Sequence, residues 1–559
     1  MMNPVFSPRA SADRTPLGSL PGWFSALLRL RGIETEEEAR RFLSPSLEDL
    51  CDPFLLPGMD RAVRLIRSAL EEKRGIMIFG DYDADGVCAT SILLGALTEM
   101  GGRVSRLLPS RHTDGYGLNE DAVRETAAKK AGLLITVDCG ISSHDQVALA
   151  RELGLTVIVT DHHQLPPELP PADAVINPLL GDYPCPHLCG TGVALKLVQA
   201  LQGSAGVEKQ LDLAALATVA DVVPLLGENR LIVREGLRRL NACPRPGLRA
   251  LLEASGTALP LTAEDLAFRI GPRLNAAGRL GDASLCVQLL LTGREETARD
   301  CARQLESMNR QRQSLEKEIT SAALDQVQDP FSPEDRLLLA AGEGWNPGLI
   351  GLTAGRLCER FARPAVVLSL PEDGGPAVGS CRSVPGVHIF ELLQSCGDLL
   401  VRFGGHAQAA GLTIEREKIP AFRARMNELL RGFGEECFRR VLPYDLALPF
   451  GMWTEEALSL LSRLEPTGCG NPPPAFLLRG AFIRSLRRMG RDGAHLQISA
   501  LDENNTAFRA VAFSQGDAAD RPLTDADLLY TPYVNHFNGR TSVEARVAAI
   551  AECGSSPLP

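Results

Sequence analysis

Five residues, Asp81-Tyr82-Asp83-Ala84-Asp85, constrain this chain more than any others. They follow an apolar run, Gly75-Ile76-Met77-Ile78-Phe79-Gly80, and lead into Gly86-Val87-Cys88-Ala89-Thr90, a glycine turn opening a helix. Side chains alternate along an extended segment, so Asp81, Asp83 and Asp85 are expected to share one face. Three like charges at that spacing repel one another unless divalent cations sit between them. Alone, the run is equally well a polar turn. Two further apolar segments end the same way, however: 133–137 runs into Asp138-Cys139-Gly140, and 155–160 into Asp161-His162-His163. Open α/β sheets gather ligands at the carboxyl ends of their strands, so three such ends predict one metal site. Aspartate oxygens with an imidazole suit octahedral Mn²⁺ or Mg²⁺, whereas zinc more often recruits thiolates.

At 559 residues the chain is too long for a single core and should form about three or four domains. Its net charge of −11 excludes a globally basic nucleic-acid binder. A local basic channel stays open, because a cage of acidic ligands inflates the negative count. The 14 cysteines are scattered without tight pairs. Cys185 and Cys189, with His187 between, are spaced like half a zinc knuckle, but the second half is missing and a turn is the simpler reading. The start, Met-Met-Asn-Pro-Val-Phe-Ser-Pro, lacks a signal-peptide layout, and no stretch is apolar enough to cross a bilayer. A soluble protein of the reducing cytoplasm is expected.

From Gly75 the pattern is strand, then helix, repeated: strands at 104–108, 133–137 and 155–160 and a helix at 120–130. That alternation predicts a parallel sheet wrapped by helices. Beyond Gly190 the chain turns helical, and one apolar run ends at Asp221. Over 294–328, Cys301, Leu305, Met308, Leu315, Ile319 and Ala322 recur at three- and four-residue steps, with Arg312 polar. This predicts a helix about 50 Å long, either packed on a core or bridging two lobes. A second α/β unit follows from Arg336, with a helix at 349–361, strands at 364–370 and 377–381, and a glycine-rich run at 403–411. Five short segments, 476–479, 495–499, 508–513, 528–534 and 542–548, fit an oligonucleotide-binding barrel, and other small β domains equally.

Eight motifs stand in order along the chain: GDYDADG (80–86), TVDCG (136–140), VTDHH (159–163), ATVADVVPL (217–225), GPRLNAAGRLGDA (271–283), GSCRSVPG (379–386), RFGGHAQAAGL (402–412) and EPTGCGNPPPAF (465–476). On these residues the chain resembles the DHH phosphoesterase superfamily and, within it, the single-strand-specific 5′ exonucleases, from about Gly32 to Ala549. The resemblance implies an α/β protein: a DHH lobe with a parallel sheet, a long connecting helix, a DHHA1-type α/β lobe and a C-terminal OB-type β-barrel, with the nuclease cleft between the lobes. The expected boundaries are an N-terminal extension (1–55), DHH domain (56–260), helical connector (261–330), DHHA1 domain (331–435) and OB-fold domain (436–559). One departure is Asn346, in Gly344-Trp345-Asn346-Pro347-Gly348, where relatives usually carry His. It puts a contact from the second lobe in question.

By position in those motifs, Asp83, Asp85, Asp138, His162 and Asp221 are implied as ligands of two divalent ions, Mn²⁺ or Mg²⁺. Asp81 and Asp161 are implied as residues that orient the ligands, and His163 as a donor to a phosphate oxygen or an aid to the leaving group. His406 is expected to face the scissile group from the second lobe. The resemblance also implies a 5′-phosphate pocket from Arg111, Arg279 and Arg382, with Ser380 and the amides of Gly404 and Gly405. Guanidinium forks suit that task. Asn275 is expected to hold backbone in the same region. Tyr116, on a glycine-flanked loop, either stacks on a base or packs on its own loop. Arg484, Arg487, Arg488 and Arg491 are positioned to track phosphates. The expectation is a two-metal exonuclease degrading single-stranded DNA from its 5′ end to mononucleotides, in recombination and repair. It would act as a monomer, with a single-strand-binding protein and a helicase as partners and no membrane. The rivals are a short-oligonucleotide or cyclic-dinucleotide phosphodiesterase of the same superfamily, and a binding protein that kept the fold and lost the chemistry.

Overall fold

The computed structural model describes residues 5–11, 13–109, 117–242, 244–328, 335–520, 523–537 and 540–553. They form two compact units: residues 12–309 with 459–473, and residues 1–11, 310–458 and 474–559.

The first unit is built on five parallel strands, β1 (Gly75–Gly80), β2 (Arg103–Leu107), β3 (Ala131–Val137), β4 (Thr156–Thr160) and β5 (Ala174–Ile176), in the order β2-β1-β3-β4-β5. Alternation divides β1 between two cores. Ile76 and Ile78 join the larger cluster, while Met77 and Phe79 join the cluster beneath helices α2 (Glu120–Ala128) and α3 (His144–Glu152). Both faces are therefore covered, which explains why these strands read as unbroken apolar runs. The larger cluster packs under α1 (Ala84–Glu99) and α4 (Gly190–Ala220), and α4 is interrupted at Gly203, whose φ is 69°. From β1 the chain crosses to β2 on one side and then to β3 on the other. That reversal opens a crevice at the strands' carboxyl ends.

Helices α5 (Gly227–Ala242) and α6 (Gly271–Leu280) complete the unit's main frame, and α7 (Glu295–Gln328) leaves it. The periodicity of α7 holds for its first half, where Cys301 and Leu305 are buried. Its second half keeps Ile319 on the seam but departs from it a turn earlier: Leu315 is only partly covered, and Glu316 is buried instead, gripped by Arg312 (2.8 Å) and Arg356 (2.6 Å).

In the second unit, β6 (Leu338–Glu343), β7 (Ala365–Leu370), β8 (Ala377–Arg382), β9 (Leu400–Gly405) and β10 (Ala409–Ile414) form a mixed sheet in the order β9-β10-β8-β7-β6. The glycine-rich run at 403–411 is thus the tip of a hairpin. A barrel follows from β11 (Phe476–Met489), β12 (His495–Leu501), β13 (Ala507–Ala512), β14 (Asp525–Phe537) and β15 (Arg540–Glu552), closed by pairing of β11 with β14. Its outer strands run to 13 and 14 residues, well past the expected segments. Their outer ends carry polar residues that carry no apolar signal. Among the described residues no helix is long and apolar enough to cross a membrane.

Candidate metal centre

Asp81, Asp83 and Asp85 do not share the face of an extended strand. The chain bends directly after β1, Asp83 caps α1 and Asp85 lies in its first turn. Asp83 Oδ1 accepts from the amides of Asp85 (2.9 Å) and Gly86 (3.1 Å), so capping competes with extension and wins. Gly86 is required here, because a Cβ would lie 2.5 Å from the Asp81 carbonyl oxygen. Convergence comes from the turn itself.

Three trios of side chains each bring donor atoms within 4.8 Å of one another: Asp81, Asp83 and Asp138; Asp138, His162 and His163; Asp85, His162 and Asp221. Asp138 and His162 are shared between trios, which is the arrangement expected of two adjacent cation positions. His162 Nε2 lies 3.2 Å from Asp138, 3.8 Å from Asp85 and 3.8 Å from Asp221. Every implied ligand therefore converges. Asp81, expected to orient the ligands, and His163, expected to donate to a phosphate oxygen or aid the leaving group, also reach donor positions.

Neighbouring backbone fixes each acid. Asp138 follows β3 in a left-handed conformation, φ 60°, its amide bonded to the Thr160 carbonyl. Asp85 is held by the start of α4: Gly190 and Thr191 donate amides to its two oxygens at 2.6 and 2.8 Å. A Cβ on Gly190 would sit 2.5 Å from the Asp138 side chain, so only glycine permits this approach. Sequence reasoning missed Gly190 and Thr191, although a glycine-bounded helix start is an anion-binding signal. Asp161 accepts from the amides of Ile141, His162 and His163 and pairs with His163 Nδ1 at 2.7 Å. Asn177, also missed, donates to the His163 carbonyl. Asn275 Oδ1 accepts from Ala84 N at 2.8 Å, and Gly278 on the same helix packs against Tyr82. Arg279 lies one residue beyond.

The electrostatics are those of a site built for cations. Burial, reinforced by Asp85 and its neighbours, raises Asp138 well above the carboxylate range; Asp221 is pushed to about 9, and Asp83 is also raised. Among the described residues, the buried Asp138 Oδ1 has no hydrogen-bond partner. Burial lowers His162, keeping its imidazole neutral and able to ligate. Burial also opposes charge on His163, but the Asp161 hydrogen bond and charge win and raise it. Oxygen donors with one or two imidazoles and no thiolate fit Mn²⁺ or Mg²⁺.

In the other unit, Ser380, Arg382, Gly404, Gly405 and His406 gather at one end of three adjacent strands, in the register Gly404–Gly411–Ser380. Arg382 donates to Ser380 Oγ at 3.1 Å and is half-buried. Gly405 has φ 145°, and a Cβ there would strike Ala409 and Ala410. Asn346 accepts from Gly348 N at 2.7 Å and so shapes the entry to α8 (Ile350–Phe361). Arg111 and Tyr116 lie outside the described residues.

Comparison with known proteins gives three family matches: the DHH family N-terminal domain over 75–220, the DHHA1 domain over 334–432 and the RecJ OB domain over 444–549. The single-stranded-DNA-specific exonuclease RecJ of Bacillus subtilis is 38% identical, covering 94% of this chain and 68% of that protein. RecJ of Dickeya dadantii is 37% identical over 96% of this chain and 97% of that protein. The crystal structure of Thermus thermophilus RecJ with Mn²⁺ superposes with a TM-score of 0.82 at 33% identity, covering 96% of this chain and 76% of that one. Its complex with Mg²⁺ gives 0.77 at 32%, with the same coverage.

Proposed function

Because the chain belongs to the RecJ family of single-stranded-DNA-specific exonucleases, we propose that it hydrolyses single-stranded DNA from the 5′ end to mononucleotides, in recombination and repair. The observation that carries this reading is the convergence of four aspartates and His162 from separate strand and helix ends within coordination reach.

Asp83, Asp85, Asp138, His162 and Asp221 are the proposed ligands of two Mn²⁺ or Mg²⁺ ions, with Asp81 close enough to share that task. Bound there, such ions supply an activated water and neutralise charge on the phosphodiester. The chain's own residues do the rest. The amides of Gly190 and Thr191 and the side chain of Asn275 hold the Asp85 turn rigid. Asp161 orients His163 and keeps it protonated to higher pH, so His163 faces the site as a proton donor to a phosphate or leaving oxygen. Arg382, Ser380, Gly404 and Gly405, with Arg111 and Arg279, are the proposed grip on the 5′ phosphate, and Tyr116 the stacking partner of a base. His406 is the second unit's proposed contact with the scissile group. Arg484, Arg487 and Arg491 on the barrel's exposed face track the phosphate chain. We place the domain limits at 56–260, 261–330, 331–435 and 436–559. The protein acts as a cytoplasmic monomer, with single-strand-binding protein and a helicase supplying its DNA.

The test is a pair of single strands labelled at either end, incubated with Mn²⁺ beside Asp138→Ala. Early release of the 5′ label as mononucleotide, lost in the variant, is expected. Equal loss from both ends, or cleavage of dinucleotides alone, overturns the reading.

A further inference from the structure

Residues 459–473 pack with the metal-bearing unit, although the chain on both sides of them belongs to the other. Buried hydrogen bonds anchor them. Arg230 is buried, and its guanidinium donates to five carbonyls: Phe42, Arg463, Leu464, Glu465 and Pro466, at 2.8 to 3.1 Å. Its plane stacks on the Phe42 ring at 3.8 Å. Arg31 donates to Asn471 Oδ1 (2.7 Å) and to the Pro472 carbonyl (2.8 Å). Asn471 is itself fully buried and returns two bonds, to Leu464 and Pro466 at 2.8 Å each.

The strap ends on the turn that follows Asp221. Leu225 N donates to the Cys469 carbonyl at 2.7 Å. Gly468 and Gly470 approach so closely that a Cβ on either would lie 2.8 Å from Leu225 and Pro224 respectively. From the other side, Asn229 donates to the Pro224 carbonyl at 3.1 Å. Between these anchors and Asp221 stands Val222, a β-branched residue at φ 61° that is 68% exposed. Such a residue avoids left-handed backbone unless its surroundings over-determine it. Val222 has little packing of its own to do this. Asp221 is the C-cap of α4, where a helix frays first.

We propose that residues 465–472 are a positioning element for Asp221, clamping the 222–226 turn so that the carboxylate is presented to His162 and Asp85. The inference rests on the metal reading above, in which Asp221 is a ligand. Arg230 and Asn471 build the clamp, while Gly468, Cys469 and Gly470 deliver it. None of them touches the reacting atoms.

The test is Mn²⁺ binding to the full-length protein, followed by calorimetry, together with hydrogen exchange at Val222 and Leu225, whose amides are bonded to the Val219 and Cys469 carbonyls. Gly470→Ala, which removes no hydrogen-bonding group but strains the left-handed backbone there (φ 68°) and pushes on Pro224, and Asn471→Ala are compared with Val123→Ala, a truncation on the buried face of α2. One of the Mn²⁺ affinities is expected to fall about tenfold in both strap variants, as for other residues that orient a ligand. Exchange at the two amides should quicken while the far-UV spectrum stays native. Val123→Ala should lower the melting temperature without moving either readout. If Gly470→Ala binds Mn²⁺ within about twofold of the parent, or if Val123→Ala weakens binding as much, the strap is only structural and the proposal falls while the metal reading stands. A parent protein that binds no Mn²⁺ removes both. Should Asn471→Ala fail to fold, Gly470→Ala decides alone.

Discussion

Around Glu228 every buried charge is answered. Lys196 Nζ lies 2.7 Å from its carboxylate and 2.6 Å from the Cys51 carbonyl, Tyr183 donates to the other oxygen, and Cys51 N donates at 2.9 Å. Elsewhere in the same unit, Asp81, Asp83, Asp85, Asp138 and Asp221 crowd around His162 and His163, and among the described residues no salt bridge joins Asp83, Asp85, Asp138 or Asp221 to a lysine or arginine. The first cluster is closed: its charges cancel and its donors are used. The second is open, and burial and mutual repulsion hold Asp83, Asp138 and Asp221 toward the protonated state. Buried charge with a partner fastens segments together, whereas buried like charge without one stores a demand that a cation satisfies.

Neutralising one acid in each cluster gives the largest and most opposed effects. Asp138→Asn keeps the left-handed backbone that Asn tolerates and removes only the charge. Metal-dependent turnover should fall by about three orders of magnitude, while the metal-free melting temperature rises. Glu228→Gln should do the reverse, leaving Lys196 buried and unpaired and costing about 3–5 kcal/mol of stability. Calorimetry in EDTA beside a nuclease assay tests both. If Asp138→Asn melts lower than its parent, the contrast between the clusters is wrong.

The pH dependence sharpens the same point. In the fold Asp221 titrates near 9 and Asp138 and Asp83 are also raised, whereas in the unfolded chain these acids lose protons near pH 4. The folded metal-free protein thus binds protons that the unfolded one has released. Its stability is fullest below pH 4 in these groups and declines as pH rises toward about 9. Mn²⁺ must displace those protons, so its affinity should rise across the same window with proton release. Melting curves with and without Mn²⁺ should diverge between pH 6 and pH 8.5. Curves that stay parallel would show that the acids are already ionised.

Much of this was legible in the residues. Apolar strands ending in Asp and His announced the sheet and the site, because strand ends and their chemistry are local in sequence. The conformation of the GDYDADG run was not: alternation predicted one face, and the capping bonds of Asp83 turned the chain instead. The amide clamp of Gly190 and Thr191 on Asp85 joins residues over a hundred positions apart, and no local pattern encodes it. The glycines of the 465–476 motif stood out without a reason, since their neighbours, Pro224 and Leu225, come from a distant turn. Long-range polar contacts, not elements, were the hidden part.

The hinge between the two kinds of cluster is the Asp161–His163 pair, a paired charge inside the open site. Asp161→Asn removes the bond and charge that raise His163, so burial then dominates and the imidazole loses its proton at lower pH. If His163 donates a proton, the alkaline limb of the rate profile should shift toward lower pH and the maximal rate fall about tenfold. An unchanged limb assigns the pair to structure, like Lys196–Glu228.

The smallest effect belongs to charges that are neither buried nor crowded. On β11, Arg487 is exposed, faces Gln497 of β12 and has no ion pair among the described residues, whereas Arg488 is paired with Asp520 and Asp517. An unpaired arginine gains more from releasing counterions off a phosphate than one already neutralised. Arg487→Ala should therefore lower the salt slope of single-stranded DNA binding by about one, roughly uniformly across sequences. Arg488→Ala should lower it by less, because the freed aspartates repel the same phosphates only at the distance where salt screens them. Filter binding from low to moderate salt measures both slopes. Equal slopes for the two variants would mean that the Arg488 ion pairs open on binding, so that pairing at the surface, unlike pairing in the core, says nothing about what a charge is free to do.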